Sequence, residues 1–184
     1  GLRSFVNEAR LLARFDHPAL GKVHQLRRAN HTAYLVLPWV KGPTLKAHVA
    51  ALAAQGRRPD EATLRAWLRP LLDALETLHA ADCLRRDIAP DNIVLGEDGP
   101  VLLDFGAARC GLVSSPGRAA SPTVILKPGY SPIEQYGDLA HDAQGPWTDL
   151  HALAGVLFHA ITGRSPVPAI ERLNRASGAK RLIS

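Results

Sequence analysis

Three short polar islands interrupt the apolar stretches of this chain and carry its chemistry-bearing residues. The first is Arg86-Asp87, with Asn92 five positions after the aspartate. The second is Asp104-Phe105-Gly106, and the third runs Pro128-Gly129-Tyr130-Ser131-Pro132-Ile133-Glu134. Carboxylates and carboxamides are hard oxygen donors, the kind that hold Mg2+. An aspartate can also take a proton from a hydroxyl, but its ordinary acidity makes it a weak base unless it is held in place. Other metal chemistries find no support: the eight histidines lack ligand spacing, and Cys83 and Cys110 stand 27 positions apart outside any C-x-x-C pattern. That spacing argues against a disulfide framework and a zinc site, so both cysteines are expected as buried thiols in a reducing compartment.

The elements that must position these islands can be read from periodicity. Residues 4–15 carry Phe5, Leu11, Leu12 and Phe15 around Glu8, an amphipathic helix that Pro18 stops. Two extended runs, 22–28 and 32–37, flank Ala29-Asn30-His31 as a hairpin. Thr44 can cap a helix to about Gln55, and Asp60 a longer one to about Ala81 with a leucine stripe. Pro70 lies within that stripe and predicts a kink or a late start. Short strands at 83–84, 93–95 and 101–103 then frame the first two islands. A long loop rich in Ser, Pro, Gly and Ala covers 111–128, and an all-round apolar helix over 148–161, ended by Gly163, is predicted to be buried. Trp39, Trp67 and Trp147 are expected to be packing residues.

Composition narrows the class. With 46% apolar and 21% charged residues the 184-residue chain can bury a core and is no disordered tail. No run is long enough to span a bilayer and none reads as a secretory signal. The net charge of +5 comes mainly from scattered arginines without interleaved aromatics, a pattern that argues against nucleic acid. There is no methionine, even at position 1, so the chain is expected to be a piece of a longer reading frame.

Taken in order, the islands resemble a protein kinase of the bacterial Ser/Thr type. Residues 86–92 look like its catalytic loop, Asp104-Phe105-Gly106 its metal-binding motif, and Pro132-Ile133-Glu134 the end of its activation segment. Asp149 matches the aspartate that anchors the catalytic loop. The resemblance implies a partial, two-lobed α+β kinase-like fold. Residues 1–40 would be the end of the N-terminal lobe and 41–184 most of a mainly helical C-terminal lobe, incomplete at its end. It implies Mg2+-ATP as phosphate donor and a protein Ser/Thr hydroxyl as acceptor, in a cytoplasmic domain. Asp87 would be the base, with Arg86 beside it, and Asn92 and Asp104 the metal ligands. Glu8 would pair with an ATP-binding lysine, Leu37, Pro38 and Val40 form the hinge that reads adenine, and Val94 lie beneath the ring. Proline costs nothing at 38, where the family uses only the carbonyl.

The chain also departs from the pattern. The Gly-rich loop and lysine strand would precede Gly1, and helices after Ser165 are missing or barely begun, which would leave Glu134 without its usual Arg partner. The segment alone is therefore expected to be poorly stable and inactive. Arg85 replaces a histidine that packs on the Phe of D-F-G, so it must stack on Phe105 or leave the core. Ala89 replaces a lysine that neutralises the transferring phosphate, and Lys127, where the family has a threonine, is expected to supply that ammonium. Ser114, Ser115, Ser121 and Thr123 are loop hydroxyls open to phosphorylation, with Arg86 as the receiving cation. Two rival readings stand beside this one: a pseudokinase scaffold on the same fold, favoured by Arg85, and a small-molecule phosphotransferase that shares the Asp and Asn spacing and a metal Asp, disfavoured by the Pro-x-Glu segment.

Overall fold

A computed structural model describes residues 6, 13–103, 109–110, 126–136 and 144–181, with side chains for all of these except 109, 110 and 176–181. Val6 is helical and buried. Glu8, Asp104 to Gly106 and the four loop hydroxyls lie outside the described residues.

Strands β1 (Gln25–Ala29) and β2 (Thr32–Val36) form an antiparallel hairpin with Ala29 opposite Thr32. Its two-residue turn, Asn30-His31, has φ of 50° and 56°. Positive φ at both central residues matches the right-handed twist of the strands, and Asn tolerates it better than most residues.

Helix α1 (Leu45–Ala54) starts where the Thr44 hydroxyl accepts the Ala47 N–H, and it buries Leu45 and Val49. The segment before it is stitched to β4 (Ile93–Gly96), with the Leu95 N–H donating to the Pro43 carbonyl at 2.9 Å. Only glycine fits at 42, because a Cβ there would lie 2.0 Å from the Leu95 oxygen. Helix α2 (Glu61–Ala80) begins at Asp60, whose carboxylate accepts the Thr63 N–H at 2.8 Å. Bonding to Thr63 holds that carboxyl below its ordinary pKa. Pro70 forgoes one helical bond, yet the helix runs through it from Glu61, so the predicted late start does not occur.

Leu71, Leu75 and Leu78 of α2 are at most 3% exposed and sit in one core with Leu45, Val49, Ile88, Ile93, Leu102, Leu153 and Val156. Each such leucine contributes roughly 1.5–3 kcal/mol, enough to make α2 the central support of the molecule. Trp67 packs against this core, edge-on to His48. Trp39 is 89% exposed and Trp147 57%, so neither is the packing residue expected.

Two further two-stranded ladders follow, β3 (Cys83–Leu84) with β6 (Arg109–Cys110) and β4 with β5 (Gly99–Leu102). The first sets Cys83 directly opposite Cys110. Cys83 is disulfide-bonded, and Cys110 is the only other cysteine in the chain. This overturns the reading of two thiols: sequence spacing says nothing about which residues a strand ladder brings face to face.

Helix α3 (Pro146–Thr162) ends at Gly163, whose φ of 71° is the left-handed cap that favours glycine. It buries Asp149, Ala152, Leu153, Val156, His159 and Ala160 against α2, while Leu150, Phe158 and Ile161 on its other side are nearly half exposed. All-round burial was expected from composition, but a helix face is buried only where another element arrives. A further helix, α4 (Ala169–Arg181), occupies a stretch for which the sequence reading expected at most a beginning. Arg172 on α4 reaches the His151 ring of α3 at 3.2 Å.

Candidate active site

The catalytic-loop candidates sit between β3 and β4, buried on the core that α2 and α3 build. Asp149, fully buried on the first turn of α3, organises the start of the loop. Its Oδ2 accepts the Arg85 N–H at 2.9 Å and its Oδ1 the Arg86 N–H at 2.8 Å. His79, near the end of α2, contacts Oδ2 at 2.8 Å. Arg86 takes φ of 66°, a left-handed conformation that a non-glycine residue holds only when its surroundings enforce it.

Beyond this anchor the loop closes on itself. The Asn92 amide donates to both the backbone oxygen and Oδ2 of Asp87, each at 2.9 Å. Asp87 is 5% exposed and Asn92 9%, so the two are held as a buried pair. The Leu103 N–H donates to the Asn92 carbonyl at 2.8 Å, tying the end of β5 to the same loop.

Lys127 enters from the third island. Its ammonium lies 3.0 Å from Asp91 Oδ2, 3.1 Å from Asn92 Oδ1 and 3.6 Å from Asp87 Oδ1. A tight turn aims it: the Lys127 carbonyl accepts the N–H groups of Tyr130 and Ser131, and its own N–H donates to the Ser131 hydroxyl at 3.0 Å. Gly129, at φ of 89°, is needed in this turn, since a Cβ would lie 2.5 Å from the Pro166 oxygen. Burial pushes the neighbouring Tyr130 phenol above its ordinary pKa.

Arg85 does not leave the core. It is 1% exposed, and its guanidinium donates to the Leu103 oxygen at 2.6 Å, one residue before Asp104. Ala89 is fully buried in the core. Glu134, expected to lack the family's usual arginine, bonds Thr148: its Oε1 accepts the Thr148 hydroxyl at 3.0 Å.

Leu37, Pro38 and Val40 line one cavity of about 510 Å³ together with Leu20, Val101 and Leu103. Val94 is not part of it; it is buried and bridged to Thr44. The structure thus gathers Asp87, Asn92 and Lys127 in one place and Leu37, Pro38 and Val40 in another. Among the described residues no group of three or more His, Cys, Asp or Glu could hold a metal. The oxygens of Asp87, Asp91 and Asn92 are nonetheless a hard donor set that suits a divalent cation or, as here, an ammonium.

The model of the protein kinase domain matches residues 2–182. The chain belongs to the protein kinase family. It is 39% identical over 144 residues to a serine/threonine-protein kinase PknA from a Nostoc species, covering 76% of this chain and 24% of that protein. It is 31% identical over 166 residues to the serine/threonine-protein kinase PknL of Mycobacterium tuberculosis, covering 90% of this chain and 39% of PknL. A solved structure described as the apo form of PpkA-294 superposes with a TM-score of 0.74 at 44% identity, over 93% of this chain and 57% of that one. The chain therefore spans about a quarter to two-fifths of the curated relatives' length, and its α+β fold is that of a kinase. No helix among the described residues is long and apolar enough to cross a membrane.

Sequence reasoning missed three residues around this loop: His79, Gln135 and Thr148. Each bonds a partner 14 or more positions away in the chain, so no local pattern marks it. Gln135 is the clearest case, bonding Arg86 from 49 positions away.

Proposed function

We propose that this chain is the central part of a domain that transfers phosphate from Mg2+-ATP to a serine or threonine hydroxyl of a protein, in the cytoplasm. The observation that carries the reading is the ammonium of Lys127 beside Asp87 and Asn92. Phosphoryl transfer depends on positioning and on neutralising the charge of the moving group, and this cluster puts one base and one cation side by side.

In this mechanism Asp87, oriented by Asn92, accepts the proton of the substrate hydroxyl at its carboxylate. Lys127 faces the transferring phosphate in the role that Ala89 leaves open. Arg86 fixes the bearing of Asp87 through its strained backbone. Asn92 and Asp104 are the residues that would hold Mg2+, whose bound charge neutralises phosphate oxygens. The Pro38 carbonyl and Val40 N–H would read adenine beside Leu37, and Glu8 would pair with an ATP-anchoring lysine. Residues 1–40 then belong to the N-terminal lobe and 41–184 to the C-terminal lobe.

A pseudokinase scaffold is the second reading, favoured by Arg85 in place of histidine. The hydrogen bond from Arg85 to Leu103 supports activity instead, because it keeps that residue inside the core next to the metal-binding motif. The full-length protein is tested for transfer from ATP to a generic protein substrate in Mg2+. Asp87→Asn should abolish transfer and Lys127→Met lower kcat by roughly 10- to 100-fold, the range of one positioned charge. Nucleotide binding without transfer would establish the scaffold, and unchanged kcat in Lys127→Met would remove Lys127 from the mechanism.

A further inference from the structure

Arg86 is held at both ends by side chains from outside its loop. Its N–H donates to Asp149 Oδ1 at 2.8 Å, and its carbonyl accepts the Gln135 amide at 2.9 Å. Gln135 closes a short 3-10 turn, Ile133–Gln135, and is 3% exposed. The residue before it is tied to the start of α3: Thr148 bonds the Glu134 carboxylate at 3.0 Å, and Gln144 bonds the Glu134 carbonyl at 3.2 Å. The contacts form a ring, from Asp149 through Arg86, Gln135, Glu134 and Thr148 back to Asp149. Gln135 is the one link in it that joins the third island directly to the catalytic loop.

The peptide between Arg86 and Asp87 is the element this ring controls. A residue in the left-handed region persists when its surroundings enforce it, and a buried carbonyl without a donor is costly. Losing the Gln135 amide would let that peptide rotate, and Asp87 is the next side chain along. The same segment carries Lys127, whose ammonium lies 3.6 Å from Asp87 Oδ1.

We propose that Gln135 is a positioning residue, which sets the bearing of Asp87 through the Arg86 carbonyl and couples it to the placement of Lys127. The proposal deepens the kinase reading and rests on it. It predicts that the segment ending in Gln135 must be docked before the base is aligned.

The test uses the full-length protein with Gln135→Leu and Gln135→Glu. In Gln135→Leu, hydrogen exchange of the Arg85, Arg86 and Asp87 amides should rise at least tenfold while exchange in α2 stays constant. Its kcat should fall about 10- to 100-fold with KM for ATP changed less than twofold. Gln135→Glu has its own signature, because an ionised carboxylate cannot donate to a carbonyl while a protonated one can. Its activity relative to wild type should rise as pH falls from about 7 to 5, since burial raises the pKa of an introduced carboxyl. Unchanged exchange at 85–87, a rise spread evenly over the chain, or a flat pH ratio for Gln135→Glu would each overturn the proposal. Should the wild-type protein transfer no phosphate, the kinase reading fails, and the exchange data still decide whether Gln135 holds the catalytic loop.

Discussion

Replacing Asp149 by Asn tests most directly how the catalytic loop is held. One carboxylate serves three groups, with Oδ1 bonded to Arg86 N–H and Oδ2 to Arg85 N–H and His79. Asparagine has a single oxygen. Whichever way its amide turns, an NH2 group replaces an acceptor and faces a buried N–H. The loss is one hydrogen bond to a charged group, about 1.5–3 kcal/mol, plus a buried donor left unsatisfied, about 1–3 kcal/mol. The sum is roughly 2.5–6 kcal/mol, a large share of the 5–15 kcal/mol typical of a folded protein. With a urea dependence of about 2 kcal/mol per M, the midpoint of the kinase region's unfolding in the full-length protein should drop by roughly 2 M. Because Arg86 is strained, exchange of the Arg85 and Arg86 amides should also accelerate before global unfolding. A midpoint shift below about 0.5 M would show that these N–H groups find other acceptors, and the account of Asp149 as the anchor would be wrong.

Two further outcomes follow from buried positions. Burial pushes the His159 imidazole below its ordinary pKa, reinforced by the Lys46 ammonium and opposed in part by the nearby Arg164 backbone. The unfolded chain then binds more protons, so stability is full above about pH 6.5 and declines as pH falls from there toward the folded-state pKa. His159→Gln should flatten the pH dependence of Tm between about pH 7 and 5, and an unaltered slope would assign that dependence elsewhere. Gly129→Ala forces a side chain into a positive φ and against the Pro166 oxygen. It should cost about 2 kcal/mol or more and weaken the turn that aims Lys127, read as a lower Tm and a lower kcat.

Much of the fold was legible because its signals are local. The Asn30-His31 turn, the caps at Thr44 and Asp60, the leucine stripe of α2 and the stop at Gly163 each depend on residues within a few positions of one another. The order of the polar islands along the chain carried the resemblance to the family without any knowledge of contacts. The errors share an opposite cause. Whether Trp39 or the outer face of α3 is covered depends on which element reaches it. Whether Cys83 meets Cys110 depends on a ladder register.

By itself the sequence determined which residue types are available: one aspartate followed by an asparagine five positions on, an alanine where a lysine is usual, and a lysine further along. Tertiary structure alone decided that these residues form one cluster. It brought Lys127 to 3.1 Å from an oxygen 35 positions away, and it set Gln135 on the carbonyl of a strained Arg86. The physical reason is reach. Helix caps, turns and apolar stripes act over one or two turns of chain, while a charge and its partner can lie anywhere along the sequence that folding makes adjacent.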